Sequence, residues 1–298
     1  MIIVITGPTA VGKTKMSIEL AKKLNGEIIN ADSTQIFKDL NIATAKVTEE
    51  EKEGIIHYLI DIKSIEEDYT VYDYQKDSRM VIEDILKRNK TPIIVGGTGL
   101  YISASLYDYK FEKETYNNNY EIYSNEEIYQ KLLEIDPQTD IHPNNRKRMI
   151  RALNYYENTN QVFSQKETTN ELLYDTLFIG LTTDRKILYD RINKRVDIML
   201  ENGLLEEAKK IYDTGIRTKA VMTPIGYKEL FEYFDGLITL EEAINKIKQR
   251  SRNYAKRQYT WFRNKMSIKW FDVNFKNFDS TIEEVTKYIM EEGNYEKN

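Results

Sequence analysis

The stretch "VITGPTAVGKTKMS" at residues 4–17 constrains this chain more tightly than any other part of it. Gly7, Gly12, Lys13 and Thr14 satisfy G-x-x-x-x-G-K-[ST], with Pro8, Thr9, Ala10 and Val11 filling the loop. The context also fits, because an apolar run, "IIVIT", precedes the loop and a segment of helical spacing, "GKTKMSIELAKKL", follows it. Glycines let backbone N–H groups turn inward around an anion, and the helix N-terminus adds partial positive charge. Lys13 adds a full charge, and Thr14 offers a hydroxyl to Mg²⁺. Such a loop implies a bound diphosphate or triphosphate without requiring that a phosphoryl group be transferred.

A loop of this kind needs a strand behind it, and the sequence continues in that style. "EIIN", "HYLIDI" and "PIIVGG" read as strands, with the helical pattern "VYDYQKDSRMVIEDILKR" between the last two. Strands alternating with helices predict an α/β fold, a P-loop NTPase-like parallel sheet flanked by helices. From about residue 108 the texture changes to the polar, tyrosine-rich "YDYKFEKETYNNNYEIYSN", followed by helical patterns near 124–135 and 145–158. "DTLFIGLTTD" then returns to strand character, and the rest is mostly helical up to a strand and terminal helix beyond about 270. The expected organisation is a core of residues 1–107 and 173–298 interrupted by an all-helical insertion at 108–172. The segment beyond 270 shows no chemistry of its own.

Composition narrows the function. With no Cys, disulfides and Cys-ligated zinc are excluded, and with only His57 and His142 so is a multi-histidine metal site in one chain. Both histidines read as structural. Any metal should be a hard cation held by oxygens. No apolar run is long enough for a membrane span, the N-terminus does not read as a signal peptide, and a cytoplasmic location is expected. A net charge of −5 argues against indiscriminate nucleic-acid binding, so RNA contact would require local basic clusters. Two exist. "RKRMIR" holds Arg146, Lys147, Arg148 and Arg151, and residues 246–265 carry eight basic residues and no acidic one. Lys248, Arg252 and Lys256 recur at i+4 along one face, expected to meet phosphate. Ile247, Tyr254 and Trp261 are expected on another face, mostly as core.

Two further segments follow strands, where a parallel sheet binds ligands. "INADSTQIF" brings Asp32, Ser33, Thr34 and Gln35 there. Asp32 is either a general base or metal holder, or the cap of a short turn. "VGGTGLYISAS" brings Thr98 among Gly96, Gly97 and Gly99, either for close ligand approach or for a tight turn. No apolar strand ends convincingly in a metal-binding Asp, Asp61 of "HYLID" being a weak candidate, so an ATPase reading is poor.

Assembled in order, "GPTAVGKT", "ADSTQIFKDLNIATAK", "HYLID", "PIIVGGTGLYI", "IHPNNRKRMIRAL", "LYDRINKRVDIMLENGL", "PIGYKEL" and "YAKRQYTWFR" resemble the tRNA dimethylallyltransferases, the IPP transferase family. Phe37, Ala43 and Pro224 depart from that pattern. The resemblance implies transfer of a dimethylallyl group from dimethylallyl diphosphate to N6 of adenosine 37, in tRNAs that read codons beginning with U. It implies Mg²⁺ at Thr14, diphosphate on residues 7–14, and catalysis by Asp32, Thr98 and Lys13. Contact with the tRNA anticodon stem-loop is implied for Asp32, Ser33, Thr34, Gln35, Thr98, Lys147, Arg148, Arg151, Gly226, Tyr227 and Lys228, in a monomeric enzyme. The rival readings are a P-loop kinase, an RNA-binding module without chemistry, and prenyl transfer to free AMP or ADP.

Overall fold

Ile2–Thr6 form a strand, β1, in which every residue is buried, because a central strand of a parallel sheet is covered on both faces. The alternation of side chains along β1 then sorts the core into two. Ile2 and Val4 join Ile29, Ile94, Tyr74 and Phe262 on one face, whereas Ile3 and Ile5 join Met16, Leu20, Ile179 and Val285 on the other. The computed structural model describes residues 1–111, 120–165 and 171–293.

After β1 come α1 (Lys13–Lys23), β2 (Gly26–Asn30), α2 (Glu49–Lys52), β3 (His57–Tyr58), α3 (Val71–Lys87), β4 (Thr91–Val95) and α4 (Gly99–Leu106). The next helices are α5 (Asn125–Ile135) and α6 (Arg146–Thr159). The chain then forms β5 (Thr176–Thr182), α7 (Arg185–Glu201), α8 (Leu204–Asp213), α9 (Lys219–Met222) and α10 (Tyr227–Phe234). It closes with α11 (Leu240–Lys265), β6 (Lys269–Asp272) and α12 (Phe278–Glu292). The strands lie in the order β3-β2-β4-β1-β5-β6, every pairing parallel. Helix starts follow local chemistry. Thr70 with Asp73 and Thr239 with Glu242 form reciprocal capping boxes on α3 and α11.

The expected strand at 57–62 is shorter than its apolar pattern suggests. Leu59 and Asp61 adopt left-handed φ values of 61° and 56°, which ends the strand after Tyr58. Asp61 pairs with Lys46 at 2.5 Å instead of facing the ligand edge.

The chain divides into two compact units, Met1–Tyr107 with Leu172–Asn298, and Asp108–Glu171. The second has its own small core of Tyr120, Ile128, Leu132, Ile141, Met149 and Leu153. Within it the Arg146 guanidinium donates to the carbonyls of Tyr120 and Tyr123, both at 2.8 Å, so this cation is committed to the unit's own fold.

Candidate active site

Loops leave the C-terminal edge of β1, β2 and β4 side by side and are stitched together by hydrogen bonds. Ala31 N–H donates to Val95 O at 2.7 Å, Thr98 N–H to Ala31 O at 3.1 Å, and the Thr6 hydroxyl to Gly96 O at 3.2 Å. The approach is so close that a Cβ on Gly96 would lie 2.2 Å from the Ala31 carbonyl. That contact accounts for glycine there, the tight-packing alternative for this segment.

The phosphate-type loop turns through left-handed conformations at Ala10 (φ 65°) and Gly12 (φ 104°) before α1 begins. Lys13 Nζ donates to Gly7 O at 3.0 Å and Pro8 O at 2.8 Å, closing a ring over the loop. Helix α7 supplies two more cations. Arg195 Nη1 donates to Thr9 Oγ1 at 3.1 Å, and Arg191 Nε donates to Ala10 O at 3.0 Å. The Gln258 carboxamide of α11 accepts from Thr9 N–H at 2.9 Å and donates to Gly97 O at 3.2 Å, tying the loop to the β4 turn. Burial, and then the neighbouring Arg195 charge, pull the Lys13 ammonium down to about 7, against the opposing pull of Asp32. Burial likewise lowers Arg195 from its usual value, again with Asp32 acting in opposition.

Two cavities meet here. One, of about 480 Å³, is lined by Lys13, Arg191, Lys194 and Arg195 against the carboxylates of Asp32 and Glu51. That excess of cations suits a multiply charged anion. The other, of about 470 Å³, is largely apolar, with Ile192, Val196, Met199, Ile247 and Trp261 among its walls. Asp32, Thr44, Arg195, Tyr254 and Gln258 belong to both linings.

Asp32 is a local cap that, among the described residues, keeps one oxygen unpaired. Its Oδ1 accepts from Thr34 N–H at 3.0 Å and from the Thr34 hydroxyl at 2.7 Å, a local cap. Among the described residues its Oδ2 has no hydrogen-bond partner, so one oxygen is held and the other is available. The Thr98 hydroxyl accepts from Ser33 N–H at 3.1 Å and lies 3.3 Å from the Ser33 hydroxyl. Gln35 spends its carboxamide on Thr44 O and Ala45 O, at 3.2 and 3.3 Å. Burial, then the Asp32 charge, push the Tyr254 phenol well above its usual range, so it stays protonated.

Other expected contacts fall elsewhere. Tyr227 is fully buried, its hydroxyl donating to Glu207 at 2.7 Å, so its side chain is a support within the fold; Lys228 beside it is exposed. Two members of the expected phosphate stripe are occupied by α7. Lys248 pairs with Asp197 at 2.6 Å and Arg252 donates to Asn193 at 2.6 Å, while Lys256 is exposed. Ile247 is core and Trp261 packs against the same core, as expected, and both also wall the apolar cavity; Tyr254 lines both cavities. In the smaller unit Lys147 and Arg148 are exposed, Arg148 lying 3.4 Å from Asp140, and Arg151 is half-buried.

The sequence reading missed Arg191, Lys194 and Arg195. The run "DRINKR" holds the signal, since Arg191 and Arg195 are four apart on one helix face. It also missed the chain beyond 270. The Arg191 guanidinium sits 3.8 Å from the Phe275 ring centroid, and a Cβ on Gly12 would meet the Phe278 ring at 2.6 Å. The C-terminal segment therefore braces the anion loop.

Known proteins resemble this chain over its whole length. Residues 35–265 match the family model described as IPP transferase. The chain is 50% identical to the tRNA dimethylallyltransferase of Anoxybacillus flavithermus over all of this chain and 98% of that one. It is 53% identical to that of Bacillus cytotoxicus over 91% of this chain and 90% of that one. Among solved structures, the tRNA isopentenylpyrophosphate transferase of Bacillus halodurans superposes with a TM-score of 0.76 at 45% identity, over 97% of this chain and 95% of that one. A eukaryotic dimethylallyltransferase, described as acting on tRNA, gives 0.83 at 33% identity, over 97% of this chain and 78% of that one. An anion loop beside an apolar cavity, the family's ordered motifs and identity over the whole length agree: the chain belongs to the IPP transferase family.

Proposed function

We propose that this chain transfers a dimethylallyl group from dimethylallyl diphosphate to N6 of adenosine 37 in tRNAs reading codons that begin with U, releasing diphosphate. The observation that carries the reading is Asp32, which stands where a cation-lined cavity and an apolar cavity meet. An allyl diphosphate has one charged and one apolar end, and the two joined cavities match both.

The diphosphate occupies the loop of residues 7–14, where Lys13, Arg191 and Arg195 neutralise the charge that grows as the C1–O bond breaks. The allyl group lies toward the apolar cavity. The N6 lone pair is delocalised into the adenine ring, so attack on C1 is helped by a base that takes the departing proton. Asp32 Oδ2 is that base, held in place through Oδ1 by Thr34. Thr98 and Ser33 position the acceptor, and Gln35 holds the adjoining wall. Thr14 and Glu51 provide oxygen donors in the cationic cavity that would suit Mg²⁺, leaving Asp32 Oδ2 for the proton. Among the described residues no cluster of three His, Cys, Asp or Glu exists, so such an ion would take few protein ligands and share the diphosphate. When bound, Mg²⁺ supplies further charge to the leaving group.

The adenosine must leave its stack, at a cost lowest in a loop already partly unpaired. Lys147, Arg148 and Arg151 of the insertion grip the anticodon stem-loop, with Lys228 contacting the same RNA. The enzyme works as a monomer in the cytoplasm; among the described residues no helix is long and apolar enough to cross a membrane.

The test is to incubate the protein with dimethylallyl diphosphate, Mg²⁺ and either tRNA or free AMP, then digest and weigh the nucleosides. Prenylated adenosine from tRNA alone is expected. Product from AMP alone, or phosphorylation with ATP and no alkylation, would overturn the reading.

A further inference from the structure

The motif "GYKE" and the run "NIATAK" are joined by a carboxylate to which no function has yet been given. Glu207 of α8 accepts hydrogen bonds from three successive backbone N–H groups: Asn41 at 3.0 Å, Ile42 at 2.9 and 3.1 Å, and Ala43 at 3.1 Å. Its Oε1 also accepts from the buried Tyr227 hydroxyl at 2.7 Å. A turn whose successive amides point one way forms a small anion-binding concavity, and here the anion is a side chain of the same protein. On the other side of the turn, the Gln35 carboxamide donates to Thr44 O and Ala45 O. The turn is tight, with Ala45 in the left-handed region at φ 47° and its N–H donating to Ile42 O at 2.9 Å.

What this turn does is line the site. Ala43, Thr44 and Ala45 wall the apolar cavity, and Thr44 and Ala45 also wall the cationic one. Gly226, at φ 129°, brings the start of α10 against the turn, where an added Cβ would lie 3.4 Å from Ala43 Cβ. Glu229 fixes that start by accepting from Gly226 N–H at 2.8 Å and is itself paired with Arg250.

We infer that Glu207 is a positioning residue for the transfer reaction, holding the turn at 41–45 so that Thr44 and Ala45 form the common wall of both cavities, with Tyr227 orienting the carboxylate. The inference rests on the proposed reaction for its consequence, but its geometry is independent of it. A charge-assisted set of bonds to consecutive amides leaves the wall one position, and reacting groups misplaced by an ångström lose rate far more than affinity.

The experiment pairs two variants with two readouts. Tyr227→Phe removes one hydroxyl and keeps the ring, while Glu207→Gln keeps one acceptor oxygen and sets an amide donor against the turn. Hydrogen exchange of the peptide covering 38–46 should quicken about tenfold in Tyr227→Phe and more in Glu207→Gln, with the sheet strands unchanged. In steady-state assays kcat should fall about 10- to 100-fold, with KM for tRNA and for dimethylallyl diphosphate within about twofold. A merely structural role would raise exchange throughout the chain and lower activity only through lost folded protein. Unchanged exchange at 41–43, or faster exchange with kcat intact, would overturn the inference. Wild-type protein without transfer activity would instead overturn the proposed reaction, and the exchange data would still decide whether Glu207 holds the turn.

Discussion

Lys13 gives the donor site a pH dependence whose sign and size follow from its surroundings. Burial and Arg195 hold its ammonium down to about 7 in the free protein. A diphosphate beside it favours the charged form, so binding raises the pKa and draws a proton from solution. Below pH 7 the lysine is already charged and the full attraction is available. As pH rises above 7 a proton must be taken up first, and affinity falls. With a free-protein value of about 7, roughly 0.9 proton is taken up per diphosphate bound at pH 8, and between pH 7 and 9 the lysine's share of affinity drops about 50-fold. The diphosphate becomes more anionic over the same range, which strengthens binding, so the ligand's own titration has the opposite sign. Calorimetric titration with inorganic pyrophosphate, in buffers of different ionisation enthalpy, reads the proton count directly. Lys13→Met isolates the residue, since its count should fall by about 0.9 at pH 8 relative to wild type. Equal counts for the two proteins would refute the argument and place the lysine away from the anion.

Three other outcomes test separate links. Asp32→Asn, which keeps an oxygen for Thr34, should lower kcat about 10²- to 10⁴-fold while tRNA affinity in a filter-binding assay is unchanged; equal loss of binding would make Asp32 a structural cap. Charge removal at Lys147 and Arg148 together should weaken tRNA binding and reduce the slope of log affinity against log salt by about 1.4–1.8, with kcat at saturating tRNA unaltered. Glu27, whose side chain is 2% exposed, is bound by Arg88 at 2.6 Å and Lys90 at 2.6 Å, and the Arg88 bonds lead in holding its carboxyl down to about 2. A depressed carboxyl contributes stability above its unfolded value, lost as pH falls from about 4.5 toward 2. Because Arg88 and Lys90 are about a third exposed, we expect that contribution to be about 1–2 kcal/mol, read as a shallower acid-unfolding slope in Glu27→Gln.

Some of this was legible in the residues alone, for a common reason. The phosphate-type loop, the buried strands and the capped helices are set by interactions within a few positions, and those appear as spacing. Residues 57–62 misled because their apolar pattern is equally good for a strand and for the turn that Leu59 and Asp61 make. The stripe at Lys248 and Arg252 misled for another reason, since a row of cations on one face does not say whether RNA or a neighbouring helix lies opposite.

The sequence by itself determined the parallel α/β core, the anion loop and the family's ordered motifs, because each is encoded by contiguous residues whose periodicity and turn chemistry allow few alternatives. Only the tertiary structure decided what surrounds the anion. Arg195 meets Thr9 across 186 positions and Gln258 meets it across 249, and no local pattern carries a pairing that folding alone brings together. For Asp32 the residues alone left base and turn cap open, and only the fold shows that Thr34 holds one of its oxygens while the residue lines both cavities.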